Sequence, residues 1–454
     1  MKQGRAVSKT LAEIFKRVAI ISLSAQILLG FFWTVMHFTF LPKYGESVLL
    51  QELQESLTCD EYTGILYPLL MRMASGIARV LPVPAHSLLY LGQLVAAFAC
   101  AYYLLGSFEC VKRMRKGWRI WMALAMLTVP VCAQCHMAVL PISLAGSLLL
   151  AMAGVLLRSK DGARPARDLT IFGIWWLLAA LFLPEFYFFG AVLLILNVIL
   201  ALRRQLLKKY AYLLCAVFLG VIPIVMTLTT SEGSLGRMQP SVEATALKRF
   251  AWEAIADLYP VWPAELKESL SQEDIFRMTS SADELPFVLG SVEKKLGKDE
   301  AKKIYGALAK EALRTRGRES LKEIAADFMG YLFAPASELA FLSGKSHTSH
   351  MVADYEALRA KSPRPTAIYL RLGNGCFLLS FLIAILLCVR VLLQRKEKTD
   401  RFALWLLLPT AAVMLLTYTL RAGGIMDGKN TWFVAALWTA FICLTILGDT
   451  KQEN

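Results

Sequence analysis

Charge is what this chain has least of. Asp, Glu, Lys and Arg make up 19% of its 454 residues, against about 25% in soluble domains. With 56% hydrophobic residues and a mean hydropathy of +0.51, that shortage excludes an ordinary soluble protein. It points to helices threaded repeatedly through a bilayer. There is no glycine-rich phosphate cradle, P-loop or dinucleotide fingerprint, so neither ATP-driven transport nor a cytosolic nucleotide-sugar donor has support. There is no serine nucleophile elbow. No alternating pattern runs long enough to read as a strand. No internal or inverted repeat is visible, which counts against transporter folds built on such symmetry. The polar stretch 231–365 contains none of the nine cysteines and no Asn-x-Ser/Thr site. A disulfide framework is therefore not expected, and the cysteines inside apolar segments behave as small hydrophobes.

The charge that is present is unevenly placed. The net charge is +14, yet 231–365 is nearly neutral, with 19 basic and 20 acidic residues. The remainder carries 30 basic and 15 acidic residues, the cations gathered in short tracts between apolar segments. That is the signature of positive-inside loops, not of a nucleic-acid surface. Threading every strongly basic tract to one side gives ten spans: 18–38, 86–108, 120–135, 138–157, two short spans within 169–202, then 212–230, 367–393, 402–420 and 431–448. The basic lead 2–17 reads as the flank of a retained signal anchor. Both termini are expected in the cytosol. The expected fold is all-α: a polytopic helical membrane protein with a helical extracytoplasmic domain. It divides into membrane helices in 1–230, an outer domain at 231–365 and membrane helices in 366–454. An outer loop at 41–84 holds two amphipathic helices, 46–57 and 66–81, suited to the interface. In the outer domain, helices are expected at 242–256, 301–315 and 319–333, with a charged turn at 294–303.

Chemistry concentrates in the sequence Cys59-Asp60-Glu61-Tyr62 of that first outer loop. One reading is a solvated loop that respects topology. The other is a pair of carboxylates held at headgroup level, one of which takes a proton from an acceptor hydroxyl as a sugar carbon is attacked. A lipid-phosphate leaving group would then need only a cation, and Arg72, Lys43 or Arg421 can supply one. Glu185 interrupts a 34-residue apolar run. It is either a hairpin tip in water or a functional acid. Cys132-Ala133-Gln134-Cys135-His136 matches a haem-attachment spacing. Its position at the end of an apolar span, between Pro130 and Pro141, favours two apolar cysteines and an interfacial histidine. His347 and His350 lack a third metal ligand at useful spacing.

A cytosolic N-terminus, one span, an outer loop carrying Asp60-Glu61 with Tyr67 six residues on, many further spans and a late outer domain resemble the GT-C superfamily of integral-membrane glycosyltransferases. The nearest members are bacterial family-39-like enzymes, such as protein O-mannosyltransferases and the lipid A aminoarabinose transferase. The likeness is specific over 14–108 and architectural beyond. It implies a polyprenyl-phosphate-linked sugar as donor, an extracytoplasmic acceptor and inversion at the anomeric carbon. It implies Asp60 as the catalytic or acceptor-positioning carboxylate, with Glu61 beside it. Glu185 is expected to line the site, and Arg72 and Arg421 to hold the donor phosphate. No cofactor or nucleic-acid partner is expected, while a divalent metal stays open. At the start of the fourth span, where these transferases often carry an acid, the chain has Leu140-Pro141-Ile142-Ser143. The rival expectation is a non-enzymatic membrane protein: a transporter or flippase of lipid-linked substrates, or an envelope scaffold.

Overall fold

The computed structural model describes residues 2–38, 65–81, 83–137, 139, 141–159, 165–183, 186–187, 190–191, 193–194, 222, 243, 246, 264–269, 292–293, 295–332, 363–393 and 432–447. All the regular elements among them are helices: α1 Lys2–Phe38, α2 Leu66–Ala78, α3 Ala85–Leu105, α4 Glu109–Lys112, α5 Lys116–Leu127, α6 Pro130–His136, α7 Ile142–Ser159, α8 Pro165–Phe182, α9 Ala264–Ser269, α10 Lys298–Leu332, α11 Pro363–Leu393 and α12 Trp432–Leu447. Thr10–Met36 within α1 and Ala85–Leu105 are each long and apolar enough to cross a membrane. α5 and α6 together make a third candidate span, bent by 81°. Ile142–Arg158, Arg371–Leu387 and Trp432–Leu447 are shorter apolar helices. The expected spans 212–230 and 402–420 lie outside the described residues, apart from the single residue Ile222.

Helix α1 shows how the pattern works. Ala12, Lys16, Ala19, Leu23, Gln26, Gly30 and Trp33 recur at three- and four-residue spacing and are buried, while Ile21, Leu28, Phe31, Phe32 and Val35 are more than half exposed. So large an exposed apolar face is untenable in water and natural against lipid tails. The basic lead is helical too and continues into the span, with Lys16 tied to Glu13 at 3.9 Å. α1 runs antiparallel to α11: Ser22 Oγ donates to the Cys376 carbonyl at 3.0 Å, and further along Trp33 stacks on Tyr369 at 5.2 Å.

The centre of the bundle is α12, every residue of which is buried. It touches α1, α5, α6, α7 and α11. A helix that is apolar on every side belongs inside a bundle. Its two hydroxyls, Thr439 and Thr445, bond back to the carbonyls of Ala435 and Phe441, each at 2.8 Å. Small residues let it approach. A Cβ on Gly146 of α7 would fall 2.7 Å from the Trp432 ring.

Three expectations are refined. The third span is not one straight helix over 120–135, because it breaks between α5 and α6. The chain reverses after Leu183: Phe186 N–H donates to the Leu183 carbonyl, Tyr187 stacks on Trp176 and Gly190 lies against the same ring. The two helices expected at 301–315 and 319–333 are one helix, α10, kinked at Arg316 (φ −125°, ψ 19°). Among the described residues, the turn before it falls at Gly297, whose φ of +86° suits glycine. Residues 298–303 are helical, not a turn.

The Gly146 contact makes a prediction. Gly146→Ala should cost about 1–3 kcal/mol, because the enclosed Trp432 ring has nowhere to move. Gly92→Ala, on an open face of α3, should gain about 0.5–1 kcal/mol from helix propensity. Unfolding midpoints of the two variants in detergent check the contrast.

Candidate functional site

The break between α5 and α6 begins with sequence. Pro130 has no N–H to continue the ladder, and the residue before a proline is pushed to extended backbone. Val129 sits at φ −58°, ψ 133° and Pro130 opens the next helix at its first turn. Breaking a helix in a membrane domain frees carbonyls that water cannot reach, so neighbouring side chains must satisfy them. Two neighbours do so at the break, and a third where α6 ends. Gln26 of α1 donates Nε2 to the Ala125 carbonyl at 3.1 Å, and Tyr369 of α11 donates its hydroxyl to the Thr128 carbonyl at 2.9 Å. Gln93 of α3 donates to the His136 carbonyl, at the far end of α6, at 2.8 Å. Thr128 Oγ1 closes the last turn of α5 on Leu124 at 2.8 Å.

His136 is fully buried at the end of α6. Its Nδ1 lies 2.8 Å from Ser143 Oγ, and its ring meets Trp432 edge-on at 4.5 Å. Its Nε2 has no hydrogen-bond partner. Gln93 links this group outward, because its Oε1 accepts from the Tyr67 hydroxyl of α2 at 3.0 Å. Tyr67, His136, Ser143 and Gln93 are all buried, which makes a continuous polar chain from α2 into the core. At the haem-attachment spacing, Cys132 and Cys135 are wholly buried, Cys132 Sγ donates to the Trp432 carbonyl at 3.3 Å, and His136 Nδ1 is turned to Ser143.

A second polar feature lies on α2. Its buried face is Tyr67, Pro68, Met71 and Ala74, while Leu69, Met73 and Ile77 are exposed. A helix of this length, apolar inward and outward, suits a position against both protein and lipid. Arg72 is half-buried on it, with Nε buried and without a hydrogen-bond partner. α2 belongs to an apolar cluster that joins the ends the sequence assigns to the outside: Trp33, Met71, Tyr90, Met137 and Tyr369, with Phe182 packed against them. At the opposite end of the helices, Arg119 Nε donates to the Tyr102 carbonyl at 2.9 Å and Arg158 lies 3.9 Å over the Tyr103 ring.

Of the residues singled out from sequence, Arg72 and Tyr67 are placed. Asp60, Glu61, Glu185 and Arg421 lie outside the described residues, as do Lys43, His347 and His350. Tyr67 turns inward to Gln93. Among the described residues, no three His, Cys, Asp or Glu side chains gather as a metal site. Sequence reasoning passed over Gln26, Gln93 and Asn374. Their signal was available: a lone amide inside an apolar run costs free energy unless it has a task. Comparison of the chain with protein-family profiles, curated proteins and solved structures returns no match.

Two substitutions test this account. Gln93→Leu leaves the Tyr67 hydroxyl and the His136 carbonyl short of a partner, each worth about 1–3 kcal/mol when orphaned. The unfolding midpoint in detergent should drop accordingly. Asn374 is fully buried, and both its amide atoms lack hydrogen-bond partners. Asn374→Leu should raise the midpoint, since removing an unsatisfied buried amide relieves its desolvation cost. A fall would show that Asn374 holds a polar group.

Proposed function

We propose that the protein is an integral-membrane glycosyltransferase of the GT-C type, with about ten spans, cytosolic termini and 231–365 outside the cytoplasm. It moves a sugar from a polyprenyl-phosphate carrier to an extracytoplasmic lipid, glycan or protein acceptor. Asp60 removes the acceptor proton as the acceptor oxygen attacks the anomeric carbon. The bond from that carbon to the carrier phosphate breaks, with inversion, and the phosphate leaves as an anion. Glu61 and Glu185 position the reactants, and Arg72 and Arg421 stabilise the departing charge.

The observation that carries this reading is Arg72. A half-buried guanidinium whose Nε has no partner favours an anion beside it. The proposed acids are close in sequence to described residues at that end of the bundle. Asp60 precedes Leu66 of α2 by six residues, a reach of at most about 22 Å. Glu185 follows Leu183 by two residues, a reach of about 7 Å.

A second reading has its own observation. A span broken at 81° beside a buried histidine is the kind of discontinuity that transporters place at substrate sites. In that reading the chain moves a lipid-linked substrate without chemistry.

The test uses membranes containing wild-type protein or Asp60→Asn, a panel of labelled polyprenyl-phosphate sugars and a crude envelope acceptor. Wild type should move label to acceptor, and the variant should be slower by about 10²–10⁴, the worth of a general base. Transfer undiminished in Asp60→Asn removes the base. Label that crosses the bilayer still attached to its carrier supports transport instead.

A further inference from the structure

We infer that the turn between α3 and α5 is a binding surface for anionic phospholipid headgroups. This inference rests on membrane embedding alone, and a transferase or a transporter would carry it equally. Lys112, Arg113, Arg115 and Lys116 fall within five residues and all four are exposed. From Tyr62 to Lys160 the chain has a single acid, Glu109, so the cluster faces little opposing charge in its own sequence neighbourhood.

Two nearby arginines show the contrast. Arg119 and Arg158 turn inward, with guanidiniums 3.7 Å and 3.9 Å over the rings of Tyr102 and Tyr103. Arg119 Nε bonds the Tyr102 carbonyl and Arg158 Nε bonds Ser107 Oγ at 3.2 Å. These two brace the end of α3. The four exposed cations point outward from the braced end.

Their depth follows from α5. Beyond the turn come Trp118, 37% exposed, then Ile120 at 43% and Leu124 at 37%, an apolar flank leading away from the cations. Trp118 and Trp121 pack edge-on at 5.5 Å. Tryptophan at the border of an apolar flank marks the headgroup level, and Lys or Arg just outside it meets lipid phosphates. The area is exposed, and its apolar flank follows the cation cluster along the chain. A bilayer leaflet fits this pairing, because lipid offers tails for the flank and phosphates for the cations beside it.

The test uses the full chain in detergent, incubated with phosphatidylglycerol or phosphatidylcholine, with retained lipid counted by native mass spectrometry. Wild type should prefer phosphatidylglycerol by a factor on the order of tenfold. The variant K112Q/R113Q/R115Q/K116Q should lose that preference while keeping its helix content. A control, R203Q/R204Q/K208Q/K209Q, removes as much charge elsewhere and should keep it. Equal retention of the two lipids by wild type, or equal loss in both variants, overturns the inference. So does displacement of phosphatidylglycerol by millimolar inorganic phosphate, which would make the surface a site for free anions. If the cluster variant loses helix content, R113K/R115K decides: it keeps the charge, and a lost preference there refutes a site built on charge.

Discussion

Everything near the centre of the molecule depends on satisfying a helix that is broken where water is scarce. Pro130 ends one ladder and starts another; the carbonyls left open at the break by Ala125 and Thr128, and that of His136 where α6 ends, are met from three directions. In water such a break would be closed by solvent. Here Gln26, Tyr369 and Gln93 close it, so the bend fixes where α1, α11 and α3 must stand. Each such bond is worth little alone, about 0.6 kcal/mol on average between membrane helices. Their collective effect is positional: none of the three helices can slide without losing a bond to this stretch.

The bend also explains why polar groups gather there. Once α6 turns from the direction of α5, its last residue faces α7 instead of lipid. His136 then finds Ser143, and Gln93 carries the contact on to Tyr67. Ser143 stands where the resembled transferases often carry an acid. In this chain the place holds a neutral hydroxyl joined to an imidazole, a polar pair that needs no counter-cation.

How much of this was legible in the sequence depended on what kind of signal each feature left. α3, α11 and α12, and the C-terminal end of α1, could be placed within a few residues because long apolar runs flanked by charge have no other good conformation; the start of α1 could not, since its basic lead is helical too. The chain reversal near Glu185 was legible because 34 apolar residues exceed one crossing. The break at Thr128 was not, although Pro130 was in plain view. Hydropathy over 120–135 is blind to acceptors and donors a hundred residues away, and those decide whether a bend costs much or little. The enclosure of α12 was hidden for a related reason: an all-apolar helix reads the same whether lipid or protein surrounds it. In the candidate site, Arg72 could be named from its place on an amphipathic helix. Its unpaired Nε is a property of packing that no spacing reveals.

α12 has a bearing on how the protein is made. It is the most enclosed helix described, yet the ribosome delivers it after α1, α5, α6, α7 and α11, the five that surround it. Until then the Trp432 slot beside Gly146 and the Cys132 thiol has no occupant from this chain. Assembly therefore closes late and from the inside, and an interrupted chain would expose its inner faces to membrane proteases.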